Sequence, residues 1–308
     1  MKIALLGGHG QLGTQFQRTA TSAGYTVVAP TSSEVDITNR EAISSWVKAI
    51  QSDPPVDAWV NAAAYTAVDA AEDHAAAAHN VNAAGAAHLA EALNATGATA
   101  PLVYPSTDYV FSGDKGSPYK ETDPTDPRCV YGSTKLAGES SSLTYDNTYV
   151  LRISWVFGRD GHNFVKAILR AARRLDKARD KDGYADALRV VDDQQGAPCS
   201  TPSISDAILG LIDRKPPSGV YHFASQPHVN WHQFAEAIVE EACRQGVLAQ
   251  EVQVLTQPTS ALNQKARRPP DGRLDAAKLQ AVLDLRPVKW RDELESVIKT
   301  LNLDELDG

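Results

Sequence analysis

Tyr131 and Lys135 stand four residues apart in the stretch VYGSTKLAGE. A phenol beside an ammonium is a candidate proton-transfer pair. A free tyrosine hydroxyl titrates near about pH 10, too high for easy exchange at neutral pH, and a neighbouring cation favours the phenolate and lowers that value. On a helix, an i, i+4 spacing brings both side chains to one face. With ten tyrosines in the chain, the spacing alone is weak evidence, and its position counts for more. The preceding PSTDYVFSG reads as a strand ending in two hydroxyls, Ser106 and Thr107, at the carboxyl edge where open α/β sheets bind ligands.

A second constellation lies at the start of the chain. GGHGQLG sets Gly7, Gly10 and Gly13 in GxxGxxG spacing between the apolar run KIALLG and a helical pattern that stops at Gly24. Small residues there allow a tight turn and a close approach to a pyrophosphate, whose charge is met by the amides of the helix N-terminus. The second strand ends VVAPTSSEVD, with Thr31 in the turn and Glu34 as the first carboxylate. A dinucleotide site usually has an acid at that strand end to hold the adenosine ribose. Its displacement removes the repulsion of a 2′-phosphate, although no arginine stands near to attract one. NADPH is the expected cofactor, with NADH tolerated.

These residues need elements to hold them. Strands at KIALLG, YTVVA, DAWVN, LVYPS and YVLRIS alternate with helices at QLGTQFQRTATSAG, around Arg40 to Ile50, along an alanine-rich stretch to about Gly97, and from about Tyr131. Such alternation predicts a Rossmann-type, doubly wound parallel sheet covered on both faces. Residues 1–155 form the expected dinucleotide-binding domain, with 200–226 (SISDAILGLI and GVYHFA) returning to it. Residues 156–199 and 227–308 form a smaller α/β substrate-binding region. Within it, Asn163 to Leu175 and NWHQFAEAIVEEACRQG read as helices, the second with an Asn cap and a glycine stop. DKARDKDGYADAL, with its alternating charges, reads as a helix end and surface loop.

Bulk properties narrow the function. A formal charge of −8 argues against a nucleic-acid partner, which would require a basic face. No run approaches the roughly 18 apolar residues of a membrane span, and the N-terminus lacks the apolar core of a signal peptide. Cys129, Cys199 and Cys243 form no CxxC and cannot all pair within one chain, so the cytoplasm is the expected compartment. His228 and His232 have helical ligand spacing without a third ligand, and they read as flanking a helix start. Cys129 reads as incidental, and Trp155 as either a core aromatic or a site residue.

GGHGQLG, NAAAYTAVDAAE, STDYVFSG, YGSTKLAGE, RISWVFG…NF, VVDDQQGAP and RRPPDGRLD together resemble the dTDP-4-dehydrorhamnose reductases, extended members of the short-chain dehydrogenase/reductase superfamily. The resemblance runs nearly the whole chain in order. It implies reduction of the C4 ketone of dTDP-4-dehydro-6-deoxy-L-mannose to dTDP-L-rhamnose, with Tyr131 as proton donor, Lys135 holding the nicotinamide ribose and tuning Tyr131, and Thr107 bonding the ketone. It also implies that Gly10, Gln11 and Leu12 cover the pyrophosphate, Asp36 and Ile37 the adenine, and Ala62, Ala63 and Ala64 the middle of the cofactor. Substrate contacts would come from Thr66, Val68, Asp108, Trp155 and Arg268, with Arg267 and Arg273 as further candidates for the diphosphate.

The chain departs from the family in two places: Gly272 replaces the usual serine, and the charged stretch before RVVDD is longer. Magnesium is associated with the family. Here Gln15 stands where a carboxylate could have been a ligand, so no metal site is expected. A homodimer is compatible with the sequence. Two other readings share these motifs: a reductase of another dTDP-4-keto-6-deoxyhexose, and a regulatory subunit resembling the methionine adenosyltransferase β subunit.

Overall fold

The computed structural model describes residues 1–52, 54–178 and 186–302. The first strand, β1 (Lys2–Leu6), is an apolar run whose last four residues are buried, as expected of a parallel strand covered on both faces. In chain order there follow α1 (Gln11–Ser22), β2 (Thr26–Val28), α2 (Arg40–Ile50), β3 (Ala58–Asn61), α3 (Val68–Asp73), α4 (Ala75–His79), a π-turn (Asn80–Ala84), α5 (Gly85–Ala95), β4 (Leu102–Thr107), α6 (Val130–Ser142) and β5 (Thr148–Ile153). The second half contains β6 (Val156–Phe157), α7 (Phe164–Lys177), β7 (Leu188–Val191), β8 (Gln195–Gly196), β9 (Cys199–Ser200), α8 (Thr201–Arg214), β10 (Gly219–His222), β11 (Val229–Asn230), α9 (Trp231–Arg244), β12 (Val254–Gln257), α10 (Ala277–Leu283) and α11 (Trp290–Thr300).

Six strands form one parallel sheet in the order β2-β1-β3-β4-β5-β10. The order reverses between β1 and β3, and this topological switch leaves a crevice at the carboxyl ends of the strands. One face is covered by α1, α8 and α10, where Phe16, Ile204, Ile208, Ile212, Leu279 and Leu283 join the core. The other is covered by α2 and α5 through Ile43, Val47, Leu89 and Leu93. A separate core gathers Phe157, Leu169, Phe234, Ile238, Trp290 and Leu294 from β6, α7, α9 and α11. Beside it, β7 and β12 pair in parallel.

Local chemistry explains the helix starts. Asn39, Asn163 and Ser200 each accept a first-turn amide, and Asn230 forms a reciprocal capping box with Gln233. The alanine-rich stretch departs from the single long helix expected. It breaks at His74 and then widens into the π-turn. The turn carries Asn82 inward, where its amide is fully buried, accepting from Tyr65 N at 2.8 Å and donating to Thr134 Oγ1 at 3.0 Å. Burying that amide against two neighbouring segments requires the extra residue that a π-turn supplies. Most of the expected charged surface loop, 179–185, lies outside the described residues.

Candidate active site

The glycine turn is shaped by contact as much as by conformation. Gly7 has φ +76°, and a Cβ there would collide with the backbone of Ala62 and Ala63 at the end of β3. A Cβ at Gly13 would collide with the Gly7 carbonyl oxygen. The N-cap of α1 is Gly10, which offers no side chain to its first-turn amides, so those amides remain available to an anion. A cavity of about 340 Å³ opens over this turn, lined by Gly7, Gly10, Asp36, Ile37 and Ala62 to Ala64 among others. A dinucleotide fits the donor set and the close glycine packing.

Not every expected cofactor residue lines that cavity. Gln11, Leu12 and Gly13 form the first turn of α1 behind it. Thr31 is turned away, because Glu34 curls back to accept its amide at 2.7 Å and its hydroxyl at 2.8 Å. The Thr31 bonds hold the Glu34 carboxyl below its ordinary pKa. Ser32, Thr38, His9 and Val81 line the cavity and were not anticipated. A turn after the second strand was the signal for Ser32; Val81 lies on the π-turn, which nothing in the sequence pattern announced.

The crevice holds the chemistry. Thr107 ends β4, paired in register with Ile153 of β5. Its hydroxyl donates to Asp108 Oδ1 at 3.1 Å and accepts from Tyr109 N at 3.2 Å. Tyr131 is on the first turn of α6, whose N-cap is Cys129; that thiol sulfur accepts from Gly132 N at 3.4 Å. The Tyr131 ring meets Tyr109 edge-on at 5.6 Å. Lys135 and Asp108 are buried and Tyr131 is half-buried, with consequences for each. Burial raises Tyr131 above its ordinary pKa, against the pull of the Thr107 bond, with Asp108 adding to the rise. Burial pushes Asp108 up to about 7 and Lys135 down to about 7.

Lys135 is held by the strand beneath its helix. Its Nζ points inward, donates to the Pro105 carbonyl at 2.7 Å and lies 4.0 Å from the Tyr104 ring centre. Burial is the largest influence on the Tyr131 phenol, with Asp108 and Cys129 raising it and Thr107 lowering it.

Trp155 follows the carboxyl end of β5 and adopts φ +44°, a left-handed conformation unusual for a bulky residue. It is half-buried and stacks on Trp231 of α9, with centroids 3.6 Å apart and planes 10° apart. Trp231 Nε1 in turn donates to Gln194 Oε1 at 3.1 Å, and Gln194 Nε2 donates to Thr259 Oγ1 at 2.9 Å. Trp231 and Gln194 were missed because their partners lie far away in sequence. Thr66 is exposed in the loop before α3, and Val68 is that helix's first residue.

The three arginines differ. Arg268 pairs with Asp69 at 2.7 Å, and Arg273 with Asp271 at 2.7 Å. Arg267 is exposed and has no ion-pair partner among the described residues. Arg267 and Arg268 line a cavity of about 400 Å³ together with Gln194, Thr259 and Lys265. Gly272 also has a structural reason: a Cβ there would run into Asp108 Oδ2, so the missing side chain makes room for that carboxyl group.

No three His, Cys, Asp or Glu side chains among the described residues gather as a metal site, and Gln15 bonds Thr19 Oγ1 at 3.1 Å. His228 and His232 bond the carbonyls of Leu274 and Val254, on either side of the start of α9. No helix among the described residues is long and apolar enough to cross a membrane.

The family model described as RmlD substrate binding domain matches residues 1–303. A dTDP-4-dehydrorhamnose reductase from Aggregatibacter actinomycetemcomitans is 36% identical over 303 residues, covering 96% of this chain and 98% of its own. The reductase of the same name from Salmonella typhimurium is 35% identical, with 94% of each chain covered. Among solved structures, a dTDP-4-dehydrorhamnose reductase from Clostridium acetobutylicum superposes with a TM-score of 0.86 at 31% identity, covering 97% of this chain and 99% of that one. One from Bacillus anthracis, in complex with NADP, gives 0.85 at 31% identity, covering 97% and 98%. With its glycine cradle and matches of this extent, the chain belongs to the dTDP-4-dehydrorhamnose reductase family.

Proposed function

We propose that the protein uses NADPH to reduce the C4 ketone of dTDP-4-dehydro-L-rhamnose, giving dTDP-L-rhamnose in the cytoplasm. The observation that carries this reading is that Thr107 ends β4 and Tyr131 opens α6 on the same parallel sheet whose first strand and helix form the glycine cradle. Bound NADPH supplies the hydride. Tyr131 gives its proton to the carbonyl oxygen as charge develops there, and burial keeps the phenol protonated until that moment. Thr107 donates to the same oxygen and steadies the growing alkoxide. Lys135, anchored at Pro105, holds the nicotinamide ribose.

Residues 1–155 with 200–226 form the cofactor half, and 156–199 with 227–308 the sugar half. Trp155 forms a wall of the sugar site, and Asp108 takes the sugar hydroxyls. The dTDP diphosphate lies along the cavity of Arg267 and Arg268, where a free cation can meet it in an acidic chain. NADPH is favoured over NADH because Glu34 is folded back onto Thr31 and does not line the cavity.

Purified protein is expected to oxidise NADPH only when the dehydrorhamnose nucleotide is added. Tyr131→Phe should lower kcat by roughly a thousandfold or more while the cofactor Kd stays within about twofold. A near-normal rate in that variant would sink the mechanism. Turnover of a different dTDP-4-keto-6-deoxyhexose in a substrate panel would reassign the sugar, and absence of turnover with tight nucleotide binding would favour a regulatory subunit.

A further inference from the structure

The helix that carries Tyr131 and Lys135 carries Glu139 one turn further on, and this carboxylate is buried with 2% of its surface exposed. It receives Arg152 of β5 in a two-pronged pair, Nε to Oε1 at 2.9 Å and Nη2 to Oε2 at 2.7 Å. Ser106, the residue before Thr107, donates to Oε1 at 2.5 Å. Arg152 also approaches His222 of β10 at 3.4 Å and lies 5.0 Å from the Phe111 ring centre. One carboxylate thus ties α6 to β4 and β5, and through Arg152 to β10. Buried ion pairs seldom add net stability, since an apolar pair of similar volume often does as well, so the pair calls for another role. Lys135 provides one. Its ammonium is enclosed, its named hydrogen bond goes to a neutral carbonyl, and Glu139 is the anion that acts on it.

We propose that Glu139 is a positioning residue for the reduction, keeping the Lys135 ammonium charged in a dry interior and, through Ser106, fixing the strand end that presents Thr107. This rests on the assignment of Tyr131, Lys135 and Thr107 given above. The charged and titratable groups on the elements packed against α6 are Tyr131 and Glu139 on that helix itself, Tyr104, Asp108 and Tyr109 on and after β4, Tyr149 and Arg152 on β5, Asp69, Glu72 and Asp73 on α3, His79 on α4, and His88 and Glu91 on α5. Burial pulls the lysine down and Glu139 opposes that pull. Removing the carboxylate charge makes the ammonium easier to deprotonate, and an Arg152 left without its counter-ion pushes in the same direction.

The test is the pH profile of kcat for NADPH-dependent reduction. In Glu139→Gln the alkaline fall in rate should move down by about one pH unit. Should that variant fail to fold with Arg152 buried alone, Glu139→Gln/Arg152→Met removes both charges, and its alkaline limb should still move down. Ser106→Ala leaves every charge in place and should lower kcat several-fold with an unmoved limb. An alkaline limb that stays at the parental pH in the folded charge variant overturns the proposal, as does a parental kcat in Ser106→Ala. Tyr131→Phe is run alongside. If it keeps its activity the underlying assignment fails; if it is inactive while the limbs do not move, only the role of Glu139 fails.

Discussion

Around the glycine turn the cleft wall is main chain and small side chains, from Gly7 and Gly10 to Ala62, Ala63 and Ala64, whereas the residues proposed for the substrate side are polar, aromatic or charged side chains, Thr107, Asp108, Trp155 and Arg268. The first wall is set by how closely backbones can approach. The second is set by which side chain reaches which, and each of those contacts bridges segments distant in sequence: Trp155 to Trp231, Arg268 to Asp69, Asp108 to Gly272. A backbone-built site fails when a side chain is added where the backbones touch, as at Gly7 and Gly13. A side-chain-built site responds to the chemistry of the change.

Gly13→Val tests the first half of that contrast. The new side chain would run into the Gly7 carbonyl oxygen, and NADPH binding measured by fluorescence titration should be abolished, while Gly10→Ala, where a Cβ has room at 3.4 Å from that oxygen, should bind with a modest loss. Equal losses in the two variants would mean that close packing is not what shapes the cradle.

Asp108→Asn tests the second half. With the Asp108 carboxyl raised from 3.8 to about 7 by burial, the folded state holds the proton that the unfolded chain releases. Its contribution to stability is full below about pH 4 and is lost as pH rises towards 7, a span worth up to roughly 4 kcal/mol. Denaturant midpoints of variant and parent should therefore diverge in the variant's favour between about pH 4 and about pH 8. A gap that does not change with pH would show the carboxyl group to be better solvated than its burial implies.

The smallest expected effect is that of Trp231→Ala. Without its stacking partner, Trp155 should leave its left-handed conformation, and KM for the nucleotide sugar should rise by roughly tenfold with kcat within about threefold. Trp231→Phe keeps an aromatic face and should restore most of the affinity. Equal behaviour of the two variants would place the stack outside the sugar site.

The same contrast explains what was legible in the sequence. The parallel sheet was readable because strand and helix periodicities are local, and GGHGQLG because a glycine turn between strand and helix requires only adjacent residues. Tyr131, Lys135 and Thr107 were found by spacing and strand position. The direction in which Lys135 points was not, since it depends on Pro105 and Tyr104 lying beneath the helix. Trp231 and Gln194 carried no local signal, and the bond from Thr31 to Glu34, three residues on, was not legible either. The alanine stretch concealed its π-turn because alanine is compatible with either winding; what selects the turn is the buried Asn82 amide reaching Tyr65 and Thr134.

Completion of the central sheet has a temporal consequence. α1, which carries the cofactor turn, packs against α8, and β5 is covered at its edge by β10. During synthesis at about 5–20 residues per second, the apolar face of α1 waits roughly ten to forty seconds for the helix that will shield it. A nascent chain stopped between Lys135 and Thr201 holds every glycine of the turn together with Tyr131 and Lys135, yet it lacks the surface against which the first helix settles. Ribosome-bound intermediates of this length are therefore natural clients for chaperones that recognise exposed apolar helices, and dividing the gene after β5 would not release a self-sufficient nucleotide-binding fragment.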